Sequence, residues 1–138
     1  MKKCIIILTA FVLTASSVLS ASSLSPTFTI RYEDFINDLT PSASVGLRLD
    51  IDGDRYTGFD VNTDASDTRL LIGWKWGLMG IGSLAISDGN DGFTYHPHYT
   101  FGVSYEIVNG LNSNFEYVMT PDVDAVADRL RLALSISF

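Results

Sequence analysis

The stretch that most constrains this chain is its last ten residues, Arg129-Leu130-Arg131-Leu132-Ala133-Leu134-Ser135-Ile136-Ser137-Phe138, where large apolar side chains alternate with charged or small ones. Successive side chains of a β-strand point to opposite faces. One face therefore carries Leu130, Leu132, Leu134, Ile136 and Phe138, and the other carries Arg129, Arg131, Ser135 and Ser137. A strand divided in this way has to meet two environments, one apolar and one polar.

The same period of two recurs upstream. It is clearest over 44–51, 69–76 and 95–107, weaker over 27–33, 56–62 and 112–119, and weakest over 80–87, where several glycines blur it. With the terminal segment this makes eight expected strands and an all-β fold. The charged residues within them are Arg31, Glu33, Arg48, Asp50, Asp60, Arg69, Lys75, Glu106, Glu116, Arg129 and Arg131. Each has the parity opposite to the apolar set of its own strand, for example Val45, Leu47, Leu49 and Ile51, or Phe101, Val103, Tyr105 and Ile107. Six of these charges are positive and five negative, so a closed lumen holding them would be nearly neutral and could be cross-linked by ion pairs. Charges enclosed in a narrow interior have to be paired, because an unpaired one costs several kcal/mol.

The N-terminus has the pattern of an export signal. Lys2 and Lys3 precede an apolar run from 4 to 13, followed by small residues to Ala21. The run is short of the roughly 20 apolar residues a membrane helix needs. Residues 1–21 are thus expected to be a signal peptide and 22–138 a single domain of about 117 residues. Removal of Cys4 with the signal would leave no thiol and no disulfide. Loss of Lys2 and Lys3 from a chain of net charge −7 leaves 7 basic against 16 acidic groups, near −9. That balance argues against a nucleic-acid partner, whose phosphates demand a basic surface.

The connections between expected strands alternate in length: long at 34–43, tight at 52–54, longer at 63–67, tight at 77–79, longer at 88–93, tight at 109–110 and long at 120–128. Asp-Gly and Asn-Gly suit tight hairpins because their backbones tolerate positive φ. Short turns at one end and longer loops at the other are the habit of up-and-down outer-membrane barrels, and this order would put both termini in the periplasm. Aromatic residues then fall at two levels, Trp74, Trp76, Tyr105, Phe115 and Phe138 toward one edge and Tyr32, Tyr95 and Tyr99 toward the other, as membrane-interface girdles require.

Taken together, these features resemble the small eight-stranded bacterial outer-membrane barrels of the OmpA and OmpX type. The resemblance is architectural and spans the mature chain. It implies an antiparallel transmembrane barrel embedded in outer-membrane lipid and lipopolysaccharide, with a side-chain-filled polar lumen and a structural or surface-interaction role. It also implies that Leu130, Leu132, Leu134, Ile136 and Phe138 form the C-terminal signal read by the barrel-assembly machinery. About 117 residues are few for eight strands and leave little for long loops.

No catalytic, cofactor or metal site is expected. Asp50-Ile51-Asp52-Gly53-Asp54 begins like a calcium loop, but the sixth and twelfth positions of an EF-hand would be Arg55 and Val61. His96 and His98 share a strand face without an identifiable third ligand, and Thr100 stands where a lipid hydrolase of this architecture would place serine. Asp34, Asp38, Asp64, Asp67, Asp88, Asp91, Asp122, Asp124 and Asp128 fall in the longer links, where weak association of Ca2+ or Mg2+ is expected. Two other classes remain open at this point. One is a soluble lipocalin-like barrel with its apolar face turned inward around a small ligand. The other is a narrow ion channel or a lipid-modifying envelope enzyme.

Overall fold

A computed structural model describes residues 23–121 and 127–138, so the expected signal peptide and the acids Asp122 and Asp124 lie outside the described residues. Eight strands form around the alternating segments: β1 (Leu24–Asp34), β2 (Asp38–Asp52), β3 (Arg55–Asn62), β4 (Asp67–Trp74), β5 (Gly77–Ser87), β6 (Phe93–Val108), β7 (Leu111–Met119) and β8 (Arg129–Ser137). Each pairs antiparallel with its sequence neighbour, and β8 returns to β1, so the sheet closes into an eight-stranded up-and-down barrel with no free edge along its paired length.

The register sets the girth. A line perpendicular to the strands runs from Leu24 through Leu49, Thr57, Ile72, Met79, Phe101 and Tyr117 to Leu130. Leu130 lies two residues beyond the Leu132–Tyr32 pair, so the line re-enters β1 at the level of position 34 after leaving position 24, a stagger of ten residues. For eight strands at ordinary spacing this corresponds to a tilt of roughly 40° and an interior that side chains can fill.

The barrel has its polarity inverted relative to a water-soluble domain. Among the described residues four hydrophobic ones are buried, Leu71, Leu78, Val118 and Ala133, against thirteen polar or charged ones, among them Arg31, Asp60, Asp67, Arg69, His98, Glu116 and Arg131. The apolar parity faces outward and is exposed on seven of the eight strands, for example Phe28 and Ile30, Val45 and Leu47, Leu70 and Ile72, Phe101 and Val103, and Leu134 and Ile136, while Phe59 and Val61 of β3 are half-buried. Water-soluble monomers rarely expose a contiguous apolar surface of more than a few hundred Å².

The connections depart from the expected spans. Strands extend further than the alternation alone suggested, so the long-link end is joined by only three, four, five and nine residues (35–37, 63–66, 88–92 and 120–128) and the short-turn end by two each (53–54, 75–76 and 109–110). Most of the expected 34–43 link is strand, because β1 and β2 remain paired up to Asp34–Asp38 with a bulge after Tyr32–Pro41. The expected 77–79 turn is strand as well, and the reversal is made by Lys75 and Trp76. Gly110 uses positive φ (82°) next to a register shift between Glu106 and Val108. Gly53 does not; its turn is built by the Asp52 carboxylate, which accepts from the Asp54 and Arg55 amides and pairs with the Arg55 guanidinium.

Candidate functional site: an ionic plug above an open vestibule

Strand parity sends four guanidinium groups and four carboxylates to the same stretch of the lumen. Arg31 (β1) reaches across to Asp60 and to Asn62 Oδ1 (2.8 Å) on β3, and to Asp67 (3.5 Å) on β4. Arg69 Nε donates to both Asp60 oxygens at 3.0 Å, while its Nη1 meets Glu116 Oε2 of β7 at 2.7 Å. Arg131 of β8 is held three ways: Nε to Glu33 Oε2 at 2.8 Å, Nη2 to Asp67 Oδ2 at 2.9 Å and Nη1 to Glu116 Oε2 at 3.3 Å. Arg129 lies 3.6 Å from Glu33 and donates to the Thr120 hydroxyl at 3.4 Å. His98 of β6 completes the cluster, with Nε2 2.6 Å from Asp67 Oδ1. Six of the eight strands are thus cross-linked through one charge-balanced network.

The network blocks the lumen, since Arg31, His98, Glu116 and Arg131 are all 0 % exposed. Four buried polar atoms of the interior, Arg31 Nε, Ser44 Oγ, His98 Nδ1 and Thr100 Oγ1, have no partner among the described residues. Below the plug the interior is open. A cavity of about 840 Å³ extends from Asp60 and Arg69 to the short turns, lined in part by Ser25, Thr27, Arg48, Tyr56, Asn112 and Ser137. Above the plug a recess of about 190 Å³ is bounded by Glu33, Asn62, Ser66, Asp67, Leu84 and Arg129. The interior is therefore a cup stopped by ion pairs toward the long-link end.

Glycines shape both compartments. A methyl group on Gly82 would overlap the His98 imidazole and the Thr68 carbonyl, and one on Gly80 would press on Leu71. On Gly73 it would overlap the Tyr56 ring, which also stacks with the Arg48 guanidinium 3.9 Å from its centroid. The inward positions of β5 at 80 and 82 are glycine because their neighbours' side chains occupy the space, which is why the alternation was faint there.

Of the expected lumen charges, Arg31, Glu33, Asp60, Arg69, Glu116, Arg129 and Arg131 meet in the plug. Arg48 and Asp50 form a separate pair (2.8 Å) in the vestibule. Lys75 and Glu106 are exposed at its mouth and form no ion pair among the described residues. Two plug members were not anticipated. Asp67 was counted with the loop acids, but it opens β4 with inward parity; the spacing of two to Arg69 was the available signal. His98 was weighed only as a metal ligand or base. With Thr100 it is fully buried and borders neither cavity, and among the described residues no three His, Cys, Asp or Glu side chains are placed to hold a metal.

On the outer wall Trp74 and Trp76 meet edge to face at 5.3 Å beside a short turn, and Trp76, Tyr105 and Phe138 are exposed at that end. Tyr32, Tyr95 and Tyr99 lie toward the long-link end. Phe115 sits midway along β7, opposite Val103 and Leu132, and takes the edge of Phe35 at 5.2 Å. Phe35, read as part of a polar link, thus belongs to the apolar wall.

The fold and its interior define a class: a closed antiparallel barrel with an apolar exterior and an ionic, side-chain-filled waist. No protein-family model matches this chain, and no curated protein or solved structure matches it either.

Proposed function

We propose that this chain is an integral outer-membrane β-barrel with a closed lumen, contributing to envelope structure or surface interaction without catalysing a reaction. In this reading residues 1–21 are removed on export. The short turns and both termini face the periplasm, and the outward Leu, Ile, Val and Phe side chains meet lipid and lipopolysaccharide. The alternating terminal residues, Leu130 to Phe138, are read by the barrel-assembly machinery. The acidic outer links attract divalent cations weakly, and no cofactor or nucleic acid takes part.

The observation that carries this reading is the inverted polarity: Arg31, Arg69 and Arg131 are sealed inside with Asp60, Asp67 and Glu116, while the apolar parity of seven of the eight strands is exposed. Hydrocarbon is the solvent that makes such an exterior favourable, and a closed barrel is the sheet that satisfies every backbone group within it. The soluble lipocalin-like alternative needs an apolar interior, whereas the interior here is ionic. A plug spanning six strands also favours a closed lumen over an ion channel.

Two measurements test the proposal. The protein should partition into detergent, and unboiled samples should migrate differently from boiled ones on a detergent gel. Recovery in the aqueous fraction, with no migration shift, would sink the membrane reading. In planar bilayers the wild-type barrel should show no sustained conductance; steady open-channel current would replace the plug with a pore.

A further inference from the structure

The β1–β2 connection carries exposed aliphatic side chains among acidic ones. It has only three residues, yet Ile36 is 65 % exposed and Leu39, within the adjoining bulge of β2, is 71 % exposed. Both stand among carboxylates. Asp34 accepts from Asn37 Nδ2 at 2.8 Å, and Asp38 accepts from the Thr40 amide and hydroxyl at 2.8 and 2.6 Å. These local bonds stiffen the tip and satisfy part of each carboxylate's hydrogen-bonding capacity.

The tip is also tied down. The Phe35 amide donates to the Leu130 carbonyl at 3.2 Å, carrying the β1–β8 contact beyond the last paired residues, Tyr32 and Leu132. Its ring crosses the outer face of β8 to rest edge-on against Phe115 of β7. Phe35 therefore latches the tip onto the same wall that carries Leu132, Phe115 and Tyr117.

We infer that the β1–β2 tip is a lipid-contacting element: Ile36 and Leu39 enter the hydrocarbon at the acyl–headgroup boundary, while Asp34 and Asp38 stay at headgroup level. This inference rests on the membrane reading above. Phe35 joins the tip to the outward apolar surface at Phe115, and burying exposed aliphatic side chains in hydrocarbon is favourable in proportion to their area. Acidic groups a few ångströms away reach the wet interface, as charged groups at such boundaries do. The first hairpin would then anchor the barrel in the lipid leaflet at the long-link end.

Cys4 is the only cysteine, so a Cys4→Ser background accepts single nitroxide labels. Labels at Ile36→Cys and Leu39→Cys would be compared, in phosphatidylcholine vesicles, with Ile72→Cys on the barrel wall and Asp54→Cys in a short turn. The expected result is oxygen collision at 36 and 39 as high as at 72, with nickel-chelate collision as low. Phe35→Ala should raise nickel-chelate collision at 36 several-fold and leave 72 unchanged. High nickel-chelate collision at 36 and 39, with 72 still in lipid, would overturn the tip assignment and leave the membrane reading standing. Exclusion of both reagents would mean that protein, such as a second copy, covers the tip, and would overturn it equally. Nickel-chelate access at 72 itself would remove the membrane reading and this inference together.

Discussion

Gly82 and Gly73 both lie beneath larger side chains, but they differ in what those side chains can do. The Tyr56 ring over Gly73 borders the open vestibule and can swing into it, giving up its stacking with Arg48. His98 over Gly82 is fully buried and bonded to Asp67, and the Thr68 backbone blocks the same space. Gly82→Ala should therefore cost about 1–3 kcal/mol, as overpacking does, and Gly73→Ala less than about 1 kcal/mol, compared by urea unfolding of the refolded barrel. Glu116→Ala would leave Arg69 and Arg131 facing each other without their shared carboxylate. Loss of one member of a buried pair costs about 3–5 kcal/mol, so this variant should unfold at much lower denaturant and show conductance bursts absent from wild type. Outside the barrel wall, the Ser66 hydroxyl and amide hold the Asp64 carboxyl below the usual carboxylate range. A lowered folded-state value means that this turn's stabilisation is present above the ordinary carboxylate pKa and is lost as pH falls through the lowered one. Amide exchange at Ser66, corrected for intrinsic rate, should stay protected at mildly acidic pH and rise only in stronger acid.

At the scale of strands and hairpins, the seam between β1 and β8 is where the first and last elements have to find each other. It is held by backbone pairing, by the Thr29–Ser135 hydroxyl contact at 2.8 Å and by the Phe35 latch. Phe35→Ala should cost about 0.5–1.5 kcal/mol beyond lost apolar contact and lower the temperature at which the folded gel band disappears. Phe138 is different: it is 74 % exposed, and its described hydrogen bond is from its own amide to the Pro26 carbonyl at 3.1 Å. Phe138→Ala should leave the unfolding midpoint of refolded protein nearly unchanged while reducing the amount assembled in cells. A large loss of intrinsic stability would mean that the residue serves packing instead of assembly. The strands were legible because an inward charge and an outward aliphatic differ so strongly that period two survives in a single sequence. β5 was faint where Gly80 and Gly82 yield their space to Leu71 and His98, and where Leu78 and Leu84 carry the inward parity. The first hairpin was hidden because Asp34, Asn37 and Asp38 look like loop residues until the bulge and the Phe35 contact are seen.

For the molecule as a whole, charge balance of the interior was readable before its geometry: parity alone predicted a nearly neutral lumen, and the plug contains four cations and four anions. What parity could not supply was height along the axis. It therefore did not separate the plug from the Arg48–Asp50 pair, or from Lys75 and Glu106 at the mouth. Height follows from the ten-residue stagger, which lifts β7 and β8 relative to β1 and brings Glu116 and Arg131 level with Arg31 and Arg69. Because the vestibule is continuous with the solution at the short-turn end, electrolyte would follow it deep into the wall. An applied voltage would then fall almost entirely across the thin ionic waist. At about 2.3 kcal/mol per charge for each 100 mV, the arginines and carboxylates there would feel nearly the full force of a gradient ordinarily spread over an entire bilayer, making this waist the place where electrical breakdown of the barrel begins.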